Sequence, residues 1–343
     1  MRPFDGDPPK RLWQRFWPLL LLVALTLGEY RFFQFKLHEN RTEVGFVLAN
    51  VDGILAGRPV WKSSQHRLLG PLAVSALQRH STTPTQALSW LMGLGLIAEN
   101  ALLWHLLRSG GKSALFALSS SFALGLVHAL TLYKLEYPWD WIDVPLFTLF
   151  GYWAATRGRL VWLIPLLVVG ALNHETVLYL PLWCALASTD PSLSAERRRR
   201  EQLAAGGGLA FALAVIFTLR EALYQGPASL VGASPEAGVR WLENPTHLRH
   251  NLRQWLWLNW SQGKAWLSVS LFFVVLACAA LILRKRQTRA ALWSLSVLVS
   301  VACFGYLNET RLYLAPLAFW LGYASTLLGS RPAATSGSTL RAP

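Results

Sequence analysis

Tyr137-Pro138-Trp139-Asp140-Trp141-Ile142-Asp143 places two carboxylates three residues apart among Trp rings, at the junction of two apolar runs, 113–133 and 144–156. Carboxylates and indoles at such a junction either punctuate a membrane interface, where Trp rings collect, or form the floor of a site. The flanking runs are continuously apolar rather than alternating, which predicts helices in lipid and excludes a β-barrel.

The whole chain shares this character. Its 343 residues are 53% hydrophobic and 15% charged, with 17 Trp, against about 25% charged in soluble domains. Several runs approach the roughly 20 residues that cross a bilayer. The fold class predicted is an all-α polytopic membrane protein. The net charge of +14 would suggest nucleic acid in a soluble protein. Here Arg and Lys fall in short clusters between apolar runs, as the positive-inside rule describes, so no nucleic acid is expected, and membrane lipids are the partners of the basic surface. Cys184, Cys278 and Cys303 lie inside apolar runs without metal spacing or a disulfide pattern.

Charge clusters set an expected topology. Residues 1–15 carry Arg2, Lys10, Arg11 and Arg15 and form a cytoplasmic N-terminus. The apolar run that follows has no small-residue cleavage site and reads as an uncleaved first span. Residues 16–328 form a single transmembrane domain of about ten helices, with outer loops at 37–83 and 224–264. The first outer loop holds two short interfacial helices, 44–55 and 68–77, and the second is rich in Trp (Trp241, Trp255, Trp257, Trp260). Three runs, 144–156, 160–172 and 177–188, are barely long enough to span. Residues 329–343 read as a disordered cytoplasmic tail. The Leu-, Ala- and Arg-rich composition suggests a bacterial inner membrane.

This topology gathers Asp52, Asp140, Asp143, His174, Glu175, Glu309 and Arg311 on the outer face. It also aligns an internal echo: the segment 172–183 (LNHETVLYLPLW) resembles 307–317 (LNETRLYLAPL), and both begin a helix descending from that face. Asn followed by Glu and Thr is helix-start chemistry.

No phosphate-binding glycine loop, zincin helix or nucleophile elbow is present, so chemistry must come from the outer-face residues. Asp52 is either a solvated charge on an amphipathic helix or a general base for an acceptor hydroxyl. Asp140 and Asp143, at i and i+3, either complement a helix dipole or hold a divalent cation, Mg or Mn. His174 and Glu175 form a turn or part of a site, depending on depth. Arg67 and Arg311 offer planar forks for phosphate or snorkel to headgroups. Glu99, deeper in the second span, is a hydrogen-bonding group between helices or part of an ion path.

The order of features resembles the GT-C superfamily of membrane glycosyltransferases. One span leads to a long outer loop with Asp52, Gly57-Arg58-Pro59 and Arg67-Leu68-Leu69-Gly70-Pro71-Leu72, and a second acidic motif, Asp140 or Asp143, follows on the next outer loop. The chain departs from the family in lacking a second acid beside Asp52. The resemblance implies a polyprenyl-phosphate-linked sugar as donor, Asp52 as the base, and inversion at the anomeric carbon. It also implies that Arg67 or Arg311 holds the phosphate charge, with His174, Glu175 and Glu309 as further substrate-binding candidates and a divalent cation near Asp140 and Asp143. Two other classes stay open. A transporter or lipid flippase would use the polar groups Glu99, Asn100 and His128, and a non-catalytic membrane subunit would use none.

Overall fold

The computed structural model describes residues 8–57, 67–131, 137–223, 251, 263–284, 287–304 and 310–327. Every described element is helical. In chain order these are α1 (Pro8–Glu39), α2 (Arg41–Leu55), α3 (Leu69–Gln78), α4 (Pro84–Ser109), α5 (Ala114–Thr131) and α6 (Asp140–Thr156). A 3₁₀ turn, Leu160–Trp162, leads into α7 (Leu163–Asn173), and a second, Glu175–Leu178, leads into α8 (Tyr179–Ser188). Then follow α9 (Ala195–Leu223), α10 (Gly263–Arg284), α11 (Thr288–Phe304), a third 3₁₀ turn (Thr310–Tyr313) and α12 (Leu314–Leu327).

Among the described residues three helices are long and apolar enough to cross a membrane: Phe16–Glu39, Pro84–Ser109 and Ala195–Leu223. The predicted runs 144–156, 160–172 and 177–188 are all helical, at 17 residues for α6, 11 for α7 and 10 for α8, each shorter than those three. The basic cluster Arg197–Arg200, which follows the third of these runs, lies inside the first turns of α9, where Arg197 forms an i,i+4 pair with Glu201 at 2.8 Å.

Local chemistry sets the ends. Thr83 caps α4 by accepting the Gln86 backbone N–H at 3.1 Å, and Pro84 occupies the first helical position, where its missing donor costs nothing. Helix α4 stops at Gly110, followed by Gly111 in the left-handed region (φ 77°), which glycine enters freely. Helix α7 breaks at His174, whose backbone is extended and whose ring accepts the Thr176 N–H to start the next turn.

The tightest helix pair is α6 with α12. A Cβ on Gly151 would overlap the Phe319 carbonyl oxygen, and one on Gly322 would overlap that of Thr148. Small residues on both sides thus let two backbones meet, the packing that substitutes for hydrophobic driving force in lipid. Asp143 shares a recess with Leu314 and Ala315 at one end of the pair, so the helices run parallel. Around the crossing lies an aromatic core. Phe319 sits 3.9 Å from Trp293 and 5.4 Å from Phe150 between ring centroids, and Trp293 Nε1 donates to the Tyr179 carbonyl at 2.8 Å. That bond satisfies an indole that burial would otherwise leave costly.

Candidate functional site

The opening stretch is the hub of one end of the bundle. Trp139 is buried and seats Ile54 of α2 in a small cluster with Leu68 and Tyr137. Tyr137 stacks on Trp139 with centroids 4.6 Å apart. The start of α3 presses on the same turn: a Cβ on Gly70 would lie 2.9 Å from the Trp139 backbone nitrogen. Gly70 therefore allows the approach that brings Arg67 in. The Arg67 guanidinium lies 4.8 Å from the Trp139 ring centroid and forks onto Glu175, Nε to Oε2 at 3.1 Å and Nη2 to Oε1 at 2.7 Å. A planar fork on a carboxylate, stacked on an indole, is geometry that Lys cannot reproduce.

Behind this pair lies a chain of short-range bonds. Asn173 Nδ2 donates to the Trp139 carbonyl at 2.9 Å and to Asp143 Oδ1 at 2.7 Å. Thr176 Oγ1 donates to Asp143 Oδ2 at 2.9 Å and lies 3.0 Å from His174 Nδ1. The Thr176 backbone N–H donates to the same Nδ1 at 3.2 Å. A nitrogen that accepts carries no proton, so a neutral His174 holds its proton on Nε2. A bare Nδ1 has no proton to share across its 3.6 Å approach to Asp143 Oδ2, so that approach is not an ion pair, and the Thr176 hydroxyl, whose one proton goes to Asp143, adds no bond to the ring nitrogen. Burial pushes the Asp143 carboxyl up from 3.8 to about 7, with the Asp140 charge adding to the rise; the bonds from Asn173 and Thr176 and the Arg67 charge oppose it.

Asp140, Asp143, His174, Thr176, Leu312 and Leu314 line a recess of about 20 Å³, room for a water or a small ion. Three helix starts meet there: α6 through Asp140, the turn into α8 through Thr176, and the turn into α12 through Leu312. The two arms of the internal echo thus both take the form of a 3₁₀ turn followed by a helix, and they face one recess. N-terminal dipole ends favour negative charge, which accounts for a buried acid pair at this point.

The predicted residues divide as follows. Arg67, Asp140, Asp143, His174 and Glu175 come together. Asp52 lies on the exposed face of α2; its helix abuts the site through Ile54, but among the described residues the carboxylate makes no hydrogen bond or ion pair. Arg311 falls in the turn that opens α12. Glu309 and the Trp-rich loop residues Trp241, Trp255, Trp257 and Trp260 lie outside the described residues. Among the described residues no three His, Cys, Asp or Glu side chains form a metal group. Asn173, Thr176 and Trp139 were not singled out from sequence as site residues; the first two stand in the LNHET segment, where their helix-start role is visible and their tertiary partner is not.

The opposite end has the reverse charge. Asp190 pairs with Arg289 at 2.6 Å and approaches Arg157 at 3.9 Å, and Arg197 donates to the Gly158 carbonyl at 3.2 Å. Arg157 itself adopts φ 50° at the end of α6, a left-handed cap usually taken by glycine.

Comparison with known proteins returns no match: no family model, no curated protein and no solved structure is similar to the chain.

Proposed function

We propose that this protein is a membrane glycosyltransferase that moves a sugar from a polyprenyl-phosphate donor to an acceptor hydroxyl at the extracytoplasmic face. The observation that carries this reading is the convergence of three helix N-termini and two buried carboxylates on one recess, with Arg67 near enough for its charge to act on Asp143. Dipole ends and a guanidinium suit a lipid phosphate, while Asp140 and Asp143 supply carboxylates for a divalent cation. Mg²⁺ commonly takes only one or two carboxylates and completes its shell with substrate phosphate oxygens. In the reaction the acceptor oxygen bonds to the anomeric carbon, the carbon–oxygen bond to phosphate breaks, and polyprenyl phosphate leaves as an anion stabilised by those groups. Asp52 takes the hydroxyl proton from the exposed side. The recess itself admits only a water-sized ion, so the phosphate and the sugar lie at its mouth.

The finer topology belongs to the same proposal: about ten crossings in a bacterial inner membrane, with both termini cytoplasmic. It is supported by the separation of an acidic end (Asp140, Asp143, Glu175) from an arginine-rich one (Arg157, Arg197, Arg289), the asymmetry that the positive-inside rule produces. Proteoliposomes offered a panel of labelled polyprenyl-phosphate sugars test the function. Asp52→Asn is expected to lower transfer about 100-fold or more with expression unchanged. Full activity in that variant removes the base assignment, and no transfer by the wild type from any donor removes the enzyme. A second reading, a proton-coupled transporter, is favoured by a polar cluster between α1, α4 and α5.

A further inference from the structure

That cluster lies far along two of the three membrane-length helices, Phe16–Glu39 and Pro84–Ser109. Asn100 Nδ2 donates to Glu29 Oε2 at 2.7 Å and to Thr26 Oγ1 at 3.1 Å. His128 Nδ1 lies 3.0 Å from Glu99 Oε2. Glu99 is 1% exposed and His128 fully buried. Gly125 permits the approach of α1 to α5, since a Cβ there would overlap the Glu29 carboxylate. Trp141 of α6 closes the cluster over His128, 4.2 Å between ring centroids, with Phe33 at 5.8 Å.

Two deficits coincide here. The first lies in unmet acceptors. Glu29 Oε1, Glu99 Oε1 and Asn100 Oδ1 are buried and accept no hydrogen bond among the described residues, although buried oxygens are normally satisfied. The second is of positive charge. Two carboxylates face one imidazole, so even a protonated His128 leaves the cluster net negative where charge is expensive. Among the described residues, the charged or titratable groups facing it on the packed elements are Glu29 from α1, Glu99 from α4 and His128 from α5. Helix α6 presents Trp141, whose neighbours Asp140 and Asp143 belong to the first site, and α12 carries no acidic or basic residue. The three do not form a metal group. A proton removes both deficits at once: it neutralises a carboxylate and turns an acceptor into a donor.

We propose that Glu29, Glu99, His128 and Asn100 form an intramembrane proton-binding site, with Glu99 held against His128 and the exchangeable proton on Glu29. The site is independent of the glycosyltransferase reading. Infrared difference spectra of the full chain in proteoliposomes, recorded as pH is raised, test it. In Asp143→Asn, which removes the other buried carboxyl that titrates near neutrality, a protonated-carboxyl C=O band should fade with rising pH, and it should be lost when Glu29→Gln is added. If Glu29→Gln fails to fold, dicyclohexylcarbodiimide, which reacts with protonated carboxyls, should label Glu29 of the wild type at acid pH and progressively less at alkaline pH. The proposal is overturned by a spectrum without the band, by a band unchanged when Glu29→Gln is added, by labelling that does not depend on pH, or by protection with sodium ions at constant pH.

Discussion

Arg67 concentrates the energetics of the acidic end in one side chain. It is 7% exposed and holds Glu175, which is 34% exposed, while stacking on Trp139. Arg67→Ala removes the fork and the cation–π contact together. The expected loss is about 2 kcal/mol, below the ~3–5 of a fully buried pair because Glu175 keeps partial solvation. Arg67→Lys should recover part of it, since charge returns but the fork does not. Thermal unfolding in detergent reads both, and an unchanged midpoint in Arg67→Ala would show that the pair contributes nothing. Asp143 supplies a pH signature. Its folded value of about 7 lies above the ordinary 3.8, so between those values the folded state binds more protons than the unfolded. Stability should therefore fall as pH rises from about 4 to about 7, and Asp143→Asn should flatten that slope. A slope of the same size in the variant assigns the effect elsewhere.

Among elements, the α6–α12 pair is the most demanding. Gly151→Ala places a methyl against the Phe319 carbonyl, a backbone atom that cannot rotate away, so the helices must separate and loosen the aromatic core around Phe319. A loss of about 3 kcal/mol is expected, the upper end of overpacking effects. Gly206 of α9 has open space where its Cβ would stand, so Gly206→Ala should be neutral or stabilise by up to about 1 kcal/mol. Equal midpoints for the two variants would contradict the close crossing. Most of these elements are legible in the sequence, because the apolar runs are long and their ends are marked: α4 by Thr83-Pro84 and Gly110-Gly111, α7 by Asn173-His174. The start of α9 is not, because a run of arginines reads as a loop until Arg197 and Arg200 are seen to pair with acids one turn away.

At the scale of the molecule, sequence could place acidic groups at a common end but could not say which of them meet. Arg67, Asp143 and Glu175 come together because Gly70 lets α3 approach Trp139 and because α7 breaks at His174, two tertiary facts without a periodic signal. Asp52 shares the helix that abuts the site yet stands on its exposed face, since an amphipathic pattern fixes a face only once the partner is known. Glu29 stands inside the first predicted span, and nothing in Gly28-Glu29-Tyr30-Arg31 names its partner; the fold sets that carboxylate against Asn100. The proposed topology puts the two polar ends on opposite sides of a membrane, with the acidic one outside. Single cysteines at Thr176 and Leu193, in a background with Cys184, Cys278 and Cys303 replaced, test it with a membrane-impermeant thiol reagent on intact cells. Labelling at position 176 from outside, and at 193 only after the membrane is opened, is the result predicted; labelling of both from the same side would contradict it.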